Sequence, residues 1–464
     1  MEFEFTDIQP EKNPKTLFVY ISYDVKKIFK TLESKTNFQI GEKILTPEGI
    51  VMFFELKKDA LFFTAKEVAT KISGKNTKNI CIILTDIEDA YDKLLILQLI
   101  AKYIYKFKKY VKKEKTLETK KVYIKDSLKN KPIILDIIQQ IEIANINRDF
   151  QNEPANIITP ETFTQYAKAL LKNDTDSNKL DIKVLNEVQL KEQGFNLIYE
   201  MGKASVNKPR FMIVKYGSNK PNVKTICLVG KGVTFDSGSI NLKPSSNTLF
   251  EMKSDKSGAT TVISIIKYFM NNSKKFPVKI IGLIPLIENA ISGDVVYPGN
   301  IIRAYGGKTV EILNNDAEGR LILADALAYS GKFVKEVDYI FDIATLTGDA
   351  QRYHCDTSAV ILTFNPMLKQ LSEKLSEQVG ERVYHMPAWP EYMEFTTSEV
   401  ADVQNNDSSK CKAGAFMASM FLLQFVPKEL RKKWMHFDVT HNYIHHLSSG
   451  SSTILIINMI KSLL

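Results

Sequence analysis

Hydrophobic positions recur along the chain in two periods. In the first 140 residues short apolar, β-rich runs ("TLFVYISY", "GIVMFFEL", "ALFFTA", "NICIILTD") alternate with helical stretches such as "AYDKLLILQLIAKYIYKF". Short β-branched and aromatic runs mark strands, whereas apolar positions three and four apart mark helices. The alternation predicts a small α/β domain over residues 1–143. The helical pattern "PIILDIIQQIEIANINRDFQ" follows, is stopped by Pro154 and Pro160, and gives way to "ETFTQYAKALLK", so connector helices are expected over 144–171. From 172 to 464 the runs "KLDIKVL", "RFMIVKYG", "KTICLVGKG", "VKIIGLIPL", "TVEILN", "YIFDIATL", "TSAVILTF" and "WMHFDVT" alternate with helices. That spacing suits a central mixed, mostly parallel sheet flanked by helices. The fold class expected is α/β, a smaller N-terminal α/β domain plus a larger C-terminal domain.

Composition narrows this picture. With 464 residues, 44% hydrophobic and 25% charged, the chain is long enough for two or three domains with cores of their own. No apolar run approaches the roughly 18 residues a membrane span needs, since "VKIIGLIPLIENAISG" is interrupted by Pro285 and Glu288. Glu2, Glu4 and Asp7 argue against a signal or transit peptide, so a cytoplasmic address is expected. Cys81, Cys227, Cys355 and Cys411 form no CxxC pair, which points to reduced, mostly buried thiols. The net charge is +9, and the run Lys102 to Lys125 supplies much of the excess. It reads as a solvated helix or loop face rather than a nucleic-acid site.

Three segments place acidic and lysine residues at the ends of expected strands, where open α/β sheets hold ligands: "LVGKGVTFDSGSINLKP", "LFEMKSDKSGATTVISII" and "ILNNDAEGRL". Asp255 precedes a run with helical spacing and on its own reads equally well as an N-cap. Asp316 and Glu318 are two apart, so from an extended segment both would point the same way, with a helix beginning near Arg320. Four carboxylates (Asp236, Asp255, Asp316, Glu318) converging on one dry site repel unless cations neutralise them. Hard oxygen ligands suit Mg, Mn or a carboxylate-rich Zn site, and two metals ~3.5–4 Å apart can share carboxylates and one activated water. A P-loop, a nucleophile elbow and a partnered histidine among His441, His445 and His446 all lack their required spacing or partners.

These motifs resemble the leucyl aminopeptidase family: "NNDAEGRL" is similar to its NTDAEGRL signature and "LVGKGVTFDSGS" to its VGKGITFDSGG. "RDFQNEPANIITPE", "ATLTG" and "RVYHMPAWPEY" through "SEVADVQN" extend the likeness over residues 145 to 447. The resemblance implies two divalent metal ions, Zn or Mn with Co and Mg as alternatives. Asp236 and Glu318 would be shared by both, Lys231 and Asp255 would complete one site, and Asp316 the other. It makes Lys243 the group that polarises the scissile carbonyl and Arg320 the holder of a bicarbonate base. Gly319 would admit that anion close to the backbone. Met252, Thr345, Gly348 and the segment around Ser448 and Gly450 would line the pocket for the first side chain. Peptides with a free N-terminus are the implied substrates and a homohexamer the implied assembly.

The chain departs from the family at Asn315, Ser239 and Lys256-Ser257-Gly258, where relatives carry Thr, Gly and Met-Gly-Gly. It also carries Asp349 and "AQRYHCDTSAV" after "ATLTG". Lys256 is expected to add a cation beside Asp255, and the segment around Arg352, Tyr353 and His354 to alter specificity. His354, Cys355 and Asp356 are adjacent and cannot all face one metal. Two other readings stay open: a scaffold relative whose altered loops block substrate, and a nucleic-acid binder that uses the basic run.

Overall fold

The structure is a computed structural model. It describes residues 2–6, 16–22, 43–46, 49–55, 61–73, 79–112, 121–172, 180–217, 222–243, 249–354, 358–406, 411–439, 443–444, 447–450 and 452–464. Two compact units are present, Met1–Asn145 with Glu377–Gly380, and Ile146–Ser376 with Glu381–Leu464.

The first unit holds a six-stranded sheet built from β1 (Glu2–Thr6), β2 (Thr16–Ser22), β3 (Lys43–Thr46), β4 (Gly49–Glu55), β5 (Asn79–Ile83) and β6 (Lys121–Lys125), in the order β1-β6-β5-β2-β4-β3. All its pairs are parallel except the β3/β4 hairpin. Two expectations change here. "ALFFTA" is not a strand; it opens helix α1 (Leu61–Ser73). Leu61, Ala65, Val68, Ala69 and Ile72 are its buried positions, and that helical period emerges only over the full thirteen residues. The end of the basic run is not a free loop but β6, in which Val122 and Ile124 are buried between lysines; residues 113–120 of the run lie outside the described residues. The next helix, α2 (Ala90–Ile104), is capped by Asp89, which accepts from the N–H groups of Tyr91 and Asp92.

From Ile146 on, helix α3 (Lys131–Asn152) belongs to the second unit, with α4 (Pro160–Leu171) behind it. A nine-stranded sheet runs in the order β16-β15-β18-β14-β9-β11-β8-β7, and β10 adds to β11. The strands are β7 (Leu180–Leu185), β8 (Arg210–Gly217), β9 (Thr225–Gly230), β10 (Gly232–Asp236), β11 (Lys279–Asn289), β14 (Tyr339–Ala344), β15 (Ala359–Thr363), β16 (Val383–His385) and β18 (Trp434–Asp438). A small separate sheet contains β12 (Ile301–Arg303), β13 (Thr309–Glu311) and β17 (Val403–Gln404). In the large sheet the central strands β9, β10, β11, β14 and β18 are mutually parallel, while the β11/β8, β8/β7 and β18/β15 pairs are antiparallel. The mixed, mostly parallel sheet expected from the sequence is therefore present.

Helices α5 (Ser257–Asn271) and α6 (Glu318–Tyr329) pack against this sheet. Leu321, Ile322, Leu323 and Leu327 of α6 are wholly buried, as is every residue of β9, which is the continuous apolar pattern of strands covered on both faces. The first turn of α5 lies so close to β14 that a Cβ at Gly258 would meet the Ile343 carbonyl oxygen at 2.0 Å. Only glycine permits that approach.

Candidate active site

The carboxyl ends of β9, β10, β11 and β14 share one edge of the sheet, and a cavity of about 810 Å³ opens there. Lys231 follows β9, Asp236 ends β10, and Asp255 sits between the 3-10 turn Phe250–Ser254 and α5. The signature loop behaves differently from the extended segment expected. Asn315–Ala317 forms a 3-10 turn and α6 begins at Glu318 rather than near Arg320. Asp316 and Glu318 nevertheless converge with Asp236, their carboxylate oxygens lying within 4.8 Å of one another.

The two lysines interleave with these acids. Lys231 Nζ lies 2.8 Å from Asp255 Oδ2, 3.1 Å from Glu318 Oε1 and 2.7 Å from the Thr345 carbonyl. Lys243 Nζ lies 2.7 Å from Asp236 Oδ2 and 2.6 Å from Asp316 Oδ1. Asp255 is not a helix cap: its Oδ1 accepts from the Thr345 hydroxyl, and its neighbour Lys256 occupies the N-cap position without a capping side chain. Lys231, Asp236, Asp255, Glu318 and Arg320 are each at most 6% exposed, which excludes the solvated surface pair as a description of them.

Burial penalises the charged form of each group, and the neighbours decide the balance. Glu318 is pushed up to about 8 by burial and then by Asp236, and Asp255 to about 6 by burial against Asp236 despite Lys231. Asp316 moves up for the same reasons, burial first and then Asp236. Burial alone would lower both lysines, but Asp255, Glu318 and Asp236 hold Lys231 above its ordinary value, and Asp236, Glu318 and Asp316 do the same for Lys243. Burial draws Arg320 down to about 10.

The donor set fits divalent cations. Four acids face only two ammonium groups in a buried site, and burial together with mutual repulsion holds protons on them that a divalent cation would displace. Asp255 Oδ2 is buried and faces the Lys231 ammonium at 2.8 Å. Arg320 fits an anion: its NH1 nitrogen donates to the Asn405 carbonyl at 2.7 Å, and its buried Nε has no hydrogen-bond partner among the described residues.

The local roles of two residues escaped the sequence reading. Asn289, the last residue of β11, donates from Nδ2 to Asp236 Oδ1 at 2.8 Å and to the Asn315 carbonyl at 3.1 Å, and it reaches Glu318 Oε2 at 3.5 Å. It orients two of the acids at once, yet in "LIPLIENAISG" it looks like an ordinary strand end. Gly319 has a packing role beside the one expected of it. A Cβ there would lie 2.6 Å from Lys231 Cε and 2.7 Å from Nζ, so the missing side chain is the space Lys231 occupies.

Met252, Thr345 and Gly348 line the cavity beside Asp349, Gln351, Arg352, Cys411 and Lys412. Ser448 is not among the described lining residues; it is buried, its N–H donating to Asn152 Oδ1 and its hydroxyl to Gln151 Oε1. Asp349 pairs with Arg352 at 2.9 Å and accepts from the Gly414 N–H. Lys256 does not point at Asp255 as a free cation but is fully buried on backbone carbonyls. Burial draws its ammonium down to about 7, against the opposing charges of Glu153 and Asp255. Cys355, Asp356, His441, His445 and His446 lie outside the described residues, as do the side chains of Tyr353 and His354.

Comparison with known proteins agrees with this geometry. The probable cytosol aminopeptidase of Clostridium tetani is 34% identical across 86% of this chain and 80% of its own length. That of Roseiflexus castenholzii is 37% identical over 295 residues, 64% of this chain but only 58% of the relative. In fold, the bottromycin maturation enzyme BotP, solved in complex with Mn, superimposes with a TM-score of 0.81 at 22% identity, covering 97% of this chain and 100% of BotP. Residues 145–454 match the catalytic domain of the cytosol aminopeptidase family, and the chain belongs to that family.

Proposed function

We propose that the protein is a metal-dependent aminopeptidase that releases N-terminal amino acids from peptides. The observation that carries this reading is the convergence of Asp236, Asp255, Asp316 and Glu318 with Lys231 and Lys243 at the floor of an open cavity, in a chain of this family. Lys231, Asp236, Asp255, Asp316 and Glu318 would hold the ions. Two divalent ions, Zn or Mn with Co or Mg as alternatives, would supply a water acidic enough to attack near neutral pH.

The chain's own groups do the rest. Lys243 stands on the cavity side of the acids, where its ammonium can donate to the scissile carbonyl oxygen and stabilise the charge that develops there. Arg320 Nε, buried and without a hydrogen-bond partner among the described residues, offers the donor for a bicarbonate base. A free, neutral substrate α-amine would be held at this metal-binding end of the cavity, so the N-terminal residue is the one placed for cleavage. Lys231 must give up its proton to act as a ligand, which two adjacent dications would favour.

Met252, Thr345 and Gly348 would contact the first side chain, Ser448 acting at most through the segment behind them. The altered residues Asp349 and Arg352 line the cavity rather than fill it, which favours an enzyme over a blocked scaffold. The assembly in this reading is a homohexamer. Among the described residues no helix is long and apolar enough to cross a membrane.

The test is removal and return of metal. Chelated protein should fail to release amino acids from short peptides, and Mn, Zn or Co should restore release. Equal turnover by chelated and loaded protein would overturn the proposal.

A further inference from the structure

Lys256 is 0% exposed, and all the hydrogen bonds of its ammonium go to the main chain. Nζ donates to the Gln151 carbonyl at 3.1 Å, to the Glu153 carbonyl at 2.9 Å and to the Lys253 carbonyl. An ammonium has three N–H donors and here meets three acceptors. Carbonyl dipoles aimed at one buried point are costly unless a donor or a cation sits there, and neutral oxygens of this kind are the ligands hard cations accept. Two segments distant in sequence supply them. Gln151 and Glu153 come from the end of α3 and the residue after it, Lys253 from the 3-10 turn before α5.

We propose that these three carbonyls form a monovalent-cation site that this chain fills with its own tethered ammonium. A single charge matches the set because all three oxygens are neutral and none is a carboxylate. Lys256 thereby closes the fold around Asp255 without a bound potassium or ammonium ion. Asp255 lies between Lys253 and Lys256 in the chain, so the same tie fixes its backbone. The tie extends further, because Gln151 and Asn152 hold the 448–450 segment: Asn152 Nδ2 donates to the Ser448 carbonyl at 3.1 Å and Gly450 N–H to Gln151 Oε1 at 3.2 Å.

Thermal unfolding of full-length wild-type protein and Lys256→Met, without divalent metal, tests this in choline, sodium, potassium and ammonium chlorides at one ionic strength. Wild type should melt at the same temperature in potassium and choline. Lys256→Met should melt several degrees lower in choline and regain most of the loss, saturably, as potassium or ammonium rises through the millimolar range. A variant that melts like wild type in choline, or that responds equally to potassium and choline, would overturn the proposal, as would a potassium-specific rise in wild type. Where Lys256→Met fails to fold in choline, its refolding yield in potassium is the readout, and no gain there also overturns the proposal. None of these measurements uses peptidase activity, so their failure leaves the proposed function standing.

Discussion

Gly319→Ala probes the packing of the site through one methyl group. The added Cβ would lie 2.6 to 2.9 Å from Lys231 Cε, Nζ and Cδ, well inside the ~3.5–4.0 Å optimum for carbon atoms. Lys231 is 3% exposed and held by Asp255, Glu318 and the Thr345 carbonyl, so it cannot swing aside freely. Overpacking costs about 1–3 kcal/mol, and losing one charged hydrogen bond costs about 1.5–3 kcal/mol more. Against this, alanine gains ~1 kcal/mol over glycine inside a helix such as α6. The net expectation is a destabilisation of about 1.5–5 kcal/mol. Gly348→Ala is the control, since a Cβ there meets nothing within 4 Å, and its change should stay within about 0.5 kcal/mol. Urea unfolding of both variants reads the difference. Gly319→Ala protein as stable as wild type, or stabilised by the helix gain alone, would refute the packing of Lys231 against α6.

Manganese affinity, measured by titration calorimetry, should weaken as pH falls from 8 to 6. Glu318 with a pKa of about 8 and Asp255 near 6 hold protons that the ion must displace, and each proton weakens binding about tenfold per pH unit below its pKa; an affinity flat over that range contradicts the burial of these acids. In the first unit Asp126→Ala strands the fully buried Lys93 ammonium, which should cost about 3–5 kcal/mol in urea unfolding, and a loss below 1 kcal/mol would show that the pair is solvated. His385, half-buried with Nε2 2.9 Å from the Ser372 hydroxyl, is lowered by burial to about 4. Because the unfolded chain protonates near pH 6.5 while the folded chain stays neutral, stability falls as pH drops from 6.5 toward 4. After allowance for solvent screening this should amount to about 1–2 kcal/mol relative to His385→Gln; parallel losses in the two proteins would refute it.

The strands that carry the site were legible because β9, β11 and β14 are almost wholly buried and read as predominantly apolar runs. The acids were legible because each follows such a run at a glycine-containing turn. What the sequence hid is long-range. Asn289 gains its meaning only from β10 lying beside β11, and Gly319 only from Lys231 folding back over α6. Neither contact leaves a local pattern. The helix α1 was hidden differently, since Leu61, Phe62 and Phe63 open it as an aromatic-rich apolar run and its charged face appears only later, at Lys66, Glu67 and Lys71. Lys256 was visible as a departure, but a cation "beside Asp255" and a cation folded onto three carbonyls are the same letter in a sequence.

The most direct measurement is release of free amino acids from an unblocked peptide and its N-acetylated twin by manganese-loaded protein, with Glu318→Ala alongside. An aminopeptidase built on these residues releases the first residue of the unblocked peptide alone, and Glu318→Ala, stripped of an acid 1% exposed at the centre of the cluster, releases none. Silence of the loaded wild type under manganese, zinc and cobalt alike, or full activity in Glu318→Ala, would contradict the assignment.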